Sequence, residues 1–325
     1  MENPNLQGIF GVVPTPLDQE FEVDEKGLGH LVEHCCDSGL HAAVILGSNG
    51  EAPYFTTEEK TRILQAAARA GKGRIPLVAG VAAFSTKESI ALARAAKESG
   101  YQAVLAALNV YFQLDLEAVK AHFEALAREG GLPVIFYYFP EVTGLMLAPD
   151  EIAEIAALPG IHGAKITVMN RSFLKRVIKL TRTNLWAVFA GSSFMMRDAL
   201  KMGAAGIICP IPLIAPKDCM DLYQAMTKGK FEEAEKIQNR LLGALPLFTD
   251  IEMPVSVAAP YFKALQRKPY TGPPDRPASS VVMVKEALRL QGHPITSAVR
   301  RPNPPIRKEQ AAMVARILKA QGWLK

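Results

Sequence analysis

Ala43-Val44-Ile45-Leu46-Gly47-Ser48-Asn49-Gly50-Glu51, followed after a short link by Thr56 to Ala70, is the stretch on which the fold turns. Ala43–Leu46 is apolar throughout and too short for a helix, which is how a strand buried on both faces reads. Gly47 and Gly50 bracket a turn. Thr56 with Glu59 three positions on forms a capping box, and Thr57–Ala70 then runs with helical period. The stretch is therefore one strand–turn–helix unit.

The unit recurs along the chain. Phe10–Val13, Leu77–Ala79, Ala103–Ala106, Val134–Tyr137, Ile161–Ile166, Ala187–Ala190 and Gly206–Cys209 are further short apolar runs. Helical patterns such as Ser85–Ser99, Leu116–Glu129 and Pro149–Ala157 lie between them. Ser85 with Glu88 repeats the capping box, and Gly100 and Gly203 stand where helices need a left-handed stop. Eight strands alternating with helices, with no dinucleotide fingerprint, predict an α/β fold, a (β/α)8 TIM barrel over residues 1–215. Residues 216–325 read as a C-terminal helical extension, broken by proline at Pro269–Pro277 and Pro302–Pro305.

Bulk properties fit an ordinary enzyme. The 325 residues are 49% apolar and 21% charged. Met1–Asn5 lacks the basic and apolar regions of a signal peptide. No apolar run approaches the roughly 18 residues of a membrane span. The expectation is a cytoplasmic protein without membrane contact. Cys35, Cys36, Cys209 and Cys219 show no zinc-ligand spacing and read as reduced thiols. The net charge of +5 is spread along the chain, with no aromatic-interleaved basic stripe, so nucleic acid is not an expected partner. His30-Leu31-Val32-Glu33-His34 matches an HxxEH zinc pattern. Without a third ligand it reads as a surface helix, and no metal is expected.

In a barrel, chemistry sits where strands end at their C-termini. Lys165, inside His162-Gly163-Ala164-Lys165-Ile166, is a charge on an otherwise buried strand. Burial disfavours the ammonium form, and a neutral amine can attack a ketone; the plain alternative is a lysine reaching solvent from a strand end. Tyr137 ends the neighbouring strand and offers a proton-transfer group, or else simply fills the barrel top. Glycines around Ser48 and Asn49 let backbone N–H groups approach an anion such as a carboxylate, though an ordinary turn would look the same.

Taken together, these segments resemble the dihydrodipicolinate synthase and N-acetylneuraminate lyase family of pyruvate-dependent class I aldolases. The family's GTTGE or GSTGE motif is similar to Gly47-Ser48-Asn49-Gly50-Glu51. Its YNVP motif is similar to Tyr137-Tyr138-Phe139-Pro140, and its lysine strand to Gly163-Ala164-Lys165. The resemblance runs from about Gly8 into the C-terminal helices. It implies that Lys165 forms a Schiff base with pyruvate or a related 2-oxo acid, with Tyr137 as general acid/base and Ser48 relaying protons. The Ser48 and Asn49 amides would hold the carboxylate, and Thr167, Gly191 and Ser192 would contact substrate. Tyr111, in Val110-Tyr111-Phe112, stands where the synthase lends a tyrosine to a neighbouring subunit. The resemblance also implies a homotetramer, a small-molecule substrate and no cofactor.

Departures from the family pattern bear on specificity. The synthase carries an arginine where Val142 stands here, and valine cannot make a bidentate carboxylate contact. Sialic acid lyases carry acidic residues where this chain has Gly191-Ser192-Ser193-Phe194. Pairing of that segment with Gly47–Glu51 most resembles 4-hydroxy-2-oxoglutarate aldolases, with the ending Gly322-Trp323-Leu324 in mild support. Tyr138 and Phe139 are expected to make the pocket rim more aromatic than such an enzyme requires. Aryl hydratase-aldolases, 2-keto-3-deoxy sugar-acid aldolases and synthase-like condensation are the alternatives, and a non-catalytic barrel-fold binding protein is the alternative of another class.

Overall fold

A computed structural model describes residues 7–182, 187–249 and 280–324, with Pro260, Ala264 and Gln266 between them. The strands are β1 (Gly8–Val12), β2 (Ala42–Ile45), β3 (Leu77–Gly80), β4 (Ala103–Ala106), β5 (Val134–Tyr138), β6 (Ile161–Ile166), β7 (Ala187–Ala190) and β8 (Gly206–Cys209). They pair in sequence order, each parallel to the next, and β8 closes on β1. This is the expected TIM barrel. β2 stops one residue early because Leu46 turns to φ 59°, a conformation that cannot continue a strand.

Strand periodicity sorts the side chains into two cores. Phe10, Val12, Val44, Val78, Leu105, Ile135, Phe189 and Ile208 fill the barrel interior. Alternate residues, such as Ile9, Ile45, Phe136 and Tyr138, face outward into the larger core under the helices. Each fully buried side chain of this size contributes on the order of 1.5–3 kcal/mol.

Local signals behave as polar groups require. Thr56 and Glu59 form the reciprocal box, with Glu59 N–H to Thr56 Oγ1 at 3.2 Å and Thr56 N–H to Glu59 Oε2 at 2.8 Å. At Ser85 only half the expected box forms. Ser85 Oγ accepts from Glu88 N–H, but the Glu88 carboxylate turns to Lys60 Nζ at 3.1 Å and Thr57 Oγ1 at 3.1 Å. Lys60 is buried, and a buried ammonium needs a partner more than an exposed N–H does. Gly100 and Gly203 take positive φ at helix ends, as expected.

After β8 the helix Pro216–Thr227 packs against β1, and Phe231–Leu241 packs on it. The helix Val281–Leu290 is buried from Val281 to Leu288, against Ile211–Ile214 and Lys308–Ala320. A helix buried on nearly all sides is one enclosed by the rest of the molecule, and its buried Lys285 and Glu286 are both paired. The proline-rich stretch 269–277 and the start, 1–5, lie outside the described residues. Among the described residues no helix is long and apolar enough to cross a membrane, and all four cysteines are free.

Candidate active site

Register builds the site. On β5, Ile135 and Tyr137 point inward, and on β6 Gly163 and Lys165 share that parity. Tyr137 is paired with Lys165, and Lys165 with Phe189 of β7. Lys165 therefore enters the barrel mouth between two rings and is only 4% exposed. Its Nζ lies 3.9 Å from the centroid of the Tyr137 ring, a contact that stabilises a cation on an aromatic face. The Tyr137 hydroxyl lies 3.0 Å from Ser48 Oγ.

Ser48 begins a single 3-10 turn, Ser48–Gly50, after β2. Gly50 N–H donates to the Gly47 carbonyl and Glu51 N–H to the Ser48 carbonyl. Among the described residues, this leaves the Ser48 and Asn49 N–H groups without a partner.

Ser48, Asn49, Tyr137, Lys165, Thr167, Gly191 and Ser192 all line one cavity of about 420 Å³ at the C-terminal mouth of the barrel. Gly191 follows β7 where the chain passes close to Thr167, and a Cβ there would overlap Thr167 Oγ1. That oxygen is itself buried and unpartnered among the described residues. Cys209 lines the cavity floor with Ser193 Oγ 2.8 Å from its sulfur. Burial pushes the Cys209 thiol up, against the opposing pull of Ser193 and Lys165.

Tyr111 does not reach the cavity of its own chain: its loop leaves the ring 86% exposed and edge-on to Phe112. One expectation needs correction, because Tyr138 does not line the rim. Strand alternation turns it outward, where its buried hydroxyl donates to the Leu147 carbonyl at 3.0 Å; Phe139 alone of the pair faces the cavity.

The structure adds residues that sequence reading missed. Glu51 takes φ 59° directly after the turn and is fully buried. Its Oε1 meets Lys285 Nζ at 2.5 Å, and its Oε2 accepts from the Arg300 N–H at 2.7 Å and Asn303 Nδ2 at 3.0 Å. Burial pushes the Lys285 ammonium down in pKa, and the Glu51 carboxylate pulls the other way. Ser280 donates to Asn49 Oδ1 at 3.2 Å. Ser280, Val281 and Asn303 line the cavity, so the C-terminal segment forms part of its wall. Glu141 also lines it, with Oε2 buried and unpartnered among the described residues. Desolvation raises that carboxyl above its ordinary pKa.

The HxxEH histidines do not line this cavity. His30 Nε2 is 3.0 Å from His293 Nδ1, and His34 Nε2 is 2.9 Å from the Leu213 carbonyl. Among the described residues no group of three or more His, Cys, Asp or Glu side chains is arranged to hold a metal.

Comparison with known proteins agrees with this geometry. The 4-hydroxy-tetrahydrodipicolinate synthase of Bacillus velezensis is 27% identical over 314 residues, 97% of this chain and 99% of that one. A prophage protein of E. coli K12 belonging to the dihydrodipicolinic acid synthase family, solved in complex with pyruvate, superposes with a TM-score of 0.85 at 23% identity, covering 98% of this chain and 99% of that one. N-acetylneuraminate lyase from Fusobacterium nucleatum gives 0.80 at 23% identity, over 99% and 100%. The model of the dihydrodipicolinate synthetase family matches residues 5–262. With a closed barrel, a buried lysine at its mouth and a family match over most of its length, the chain belongs to the dihydrodipicolinate synthetase family and is one of its carbon–carbon lyases.

Proposed function

We propose that the protein forms a Schiff base between Lys165 and pyruvate or a 4-hydroxy-2-oxo acid, and breaks or makes the C3–C4 bond. The observation that carries this is the contact of Lys165 Nζ with the Tyr137 ring and of the Tyr137 hydroxyl with Ser48 Oγ, all lining one cavity. The unpartnered N–H groups of Ser48 and Asn49 suit the substrate carboxylate. The Lys165 amine, in its unprotonated form, is the nucleophile that adds to the C2 carbonyl to give a carbinolamine. A proton from Tyr137 lets water leave and an iminium forms. The tyrosinate takes the C4 hydroxyl proton, the C3–C4 pair moves into the iminium, and an aldehyde departs from the enamine. Protonation at C3 and hydrolysis release pyruvate. Ser48 relays protons between Tyr137 and solvent.

The likeness of Gly47–Glu51 and Gly191–Phe194 to 4-hydroxy-2-oxoglutarate aldolases supports a 4-hydroxy-2-oxo acid. The lining bears on its tail. Lys165 is the only cation among the described lining residues, and Val142 lines the cavity where a carboxylate-binding arginine would serve a synthase. A second carboxylate on the tail lacks a bidentate partner there, which favours uncharged aldehydes over glyoxylate or aspartate semialdehyde. We further propose a cytoplasmic homo-oligomer, a tetramer by family likeness, in which a neighbouring subunit receives Tyr111.

Intact mass after incubation with pyruvate and borohydride tests the reading. A reduced adduct mapped to Lys165, absent from Lys165→Ala with an unchanged melting curve, is expected. An adduct surviving in Lys165→Ala, or none in the folded wild type, overturns it.

A further inference from the structure

Glu141 has no role in the steps above, yet it sits on their doorstep. It lies in the short turn Pro140–Thr143 directly after β5, so the strand that carries Tyr137 also sets its position. Oε2 is buried and finds no partner among the described residues, and the same is true of Thr167 Oγ1 in the same cavity. The rest of the outer lining is largely apolar, with Tyr54, Phe139, Val142, Met169, Leu245 and Phe248. Leaving a buried polar atom unpaired costs free energy. The Glu141 side chain lines the cavity and neither oxygen of its carboxyl has a partner among the other described residues, so the carboxyl is complementary to a donor that arrives with the ligand. A carboxyl accepts from a hydroxyl in either protonation state, but when ionised it repels a second carboxylate.

We infer that Glu141 is a specificity-determining residue. Its carboxyl accepts hydrogen bonds from hydroxyl groups on the aldehyde half of the substrate, selecting uncharged hydroxylated tails over carboxylate-bearing or purely alkyl ones. The apolar surroundings exclude water, so a missing hydroxyl is not replaced by solvent and discrimination is larger than on an open surface. This inference rests on the Lys165 reading.

The test is aldol addition at saturating pyruvate, with glyceraldehyde, propanal and glyoxylate as acceptors for wild type, Glu141→Leu and Glu141→Gln. The borohydride-trapped adduct on Lys165 is measured in parallel. Wild type should prefer glyceraldehyde to propanal in kcat/KM by about ten-fold or more, the scale of one hydrogen bond to a carboxyl. Glu141→Leu should remove most of that preference, chiefly through the KM for glyceraldehyde, and Glu141→Gln, which keeps an acceptor, should retain part of it. In both variants glyoxylate should gain relative to glyceraldehyde. A trapped adduct with no glyceraldehyde preference in wild type, or with the preference unchanged in Glu141→Leu, overturns the role of Glu141 alone. Absence of the adduct in wild type overturns the Lys165 reading and this inference with it.

Discussion

Tyr137 joins the other two groups of the proposed mechanism, because its ring faces the Lys165 amine and its hydroxyl reaches Ser48. Tyr137→Phe keeps the ring and removes the proton carrier. It should lower kcat by roughly 10²–10⁴-fold, the usual range for a general acid/base, and slow the trapping of pyruvate by borohydride while leaving Lys165 as the residue modified. A loss under ten-fold in steady-state turnover would show that another group moves the proton. Gly191 is constrained differently. With no room for a Cβ beside Thr167 Oγ1, Gly191→Ala should displace Thr167 and reduce turnover, and Thr167→Val should not rescue it, since the added methyl clashes with either side chain.

Between elements, the Glu51–Lys285 pair joins the turn after β2 to the helix Val281–Leu290, more than two hundred residues away in sequence. Both side chains are fully buried, so removing one partner strands the other charge in the interior. Glu51→Gln or Lys285→Met should each cost about 3–5 kcal/mol by urea denaturation. The double variant should recover much of this, because no charge is then left unpaired. Equal, additive losses would mean that the two groups do not share one interaction. The same pair explains why the C-terminal segment cannot be an appendage: it fixes the backbone that presents Ser48 and Asn49.

At the scale of the molecule, acid should destabilise the fold through buried histidine. Burial lowers the His122 pKa to about 4, with Thr86 Oγ1 at 2.9 Å from Nδ1 and Nε2 unpartnered among the described residues. The unfolded chain binds the proton first, so stability is full above about pH 6.5 and falls as pH drops toward 4, by roughly 3 kcal/mol at most. Burial shifts His41 and His162 in the same direction. His122→Leu should flatten the denaturation midpoint over this range; an unchanged slope would assign the acid sensitivity elsewhere. Assembly is tested at the exposed Tyr111–Phe112 pair. Replacing both with Ala should lower the sedimentation coefficient if a neighbouring subunit covers them, whereas an unchanged value would leave Tyr111 without a partner site.

The sequence by itself determined the repeating strand–helix unit and therefore the barrel, since short apolar runs with glycine turns and caps are local signals that need no partner. It also brought Lys165, Tyr137 and Ser48 together, because strand ends in a closed barrel converge on one mouth. Only the tertiary structure decided that Tyr138 faces away, since a period of two gives alternation but not which face is which. It alone withheld half of the Ser85 box, where a buried lysine outcompeted a cap. Glu51, Asn303 and Ser280 joined the site through contacts spanning most of the chain, and Glu141 through an unpaired oxygen. Such contacts leave no periodic trace in sequence, because they depend on where separate segments meet in space.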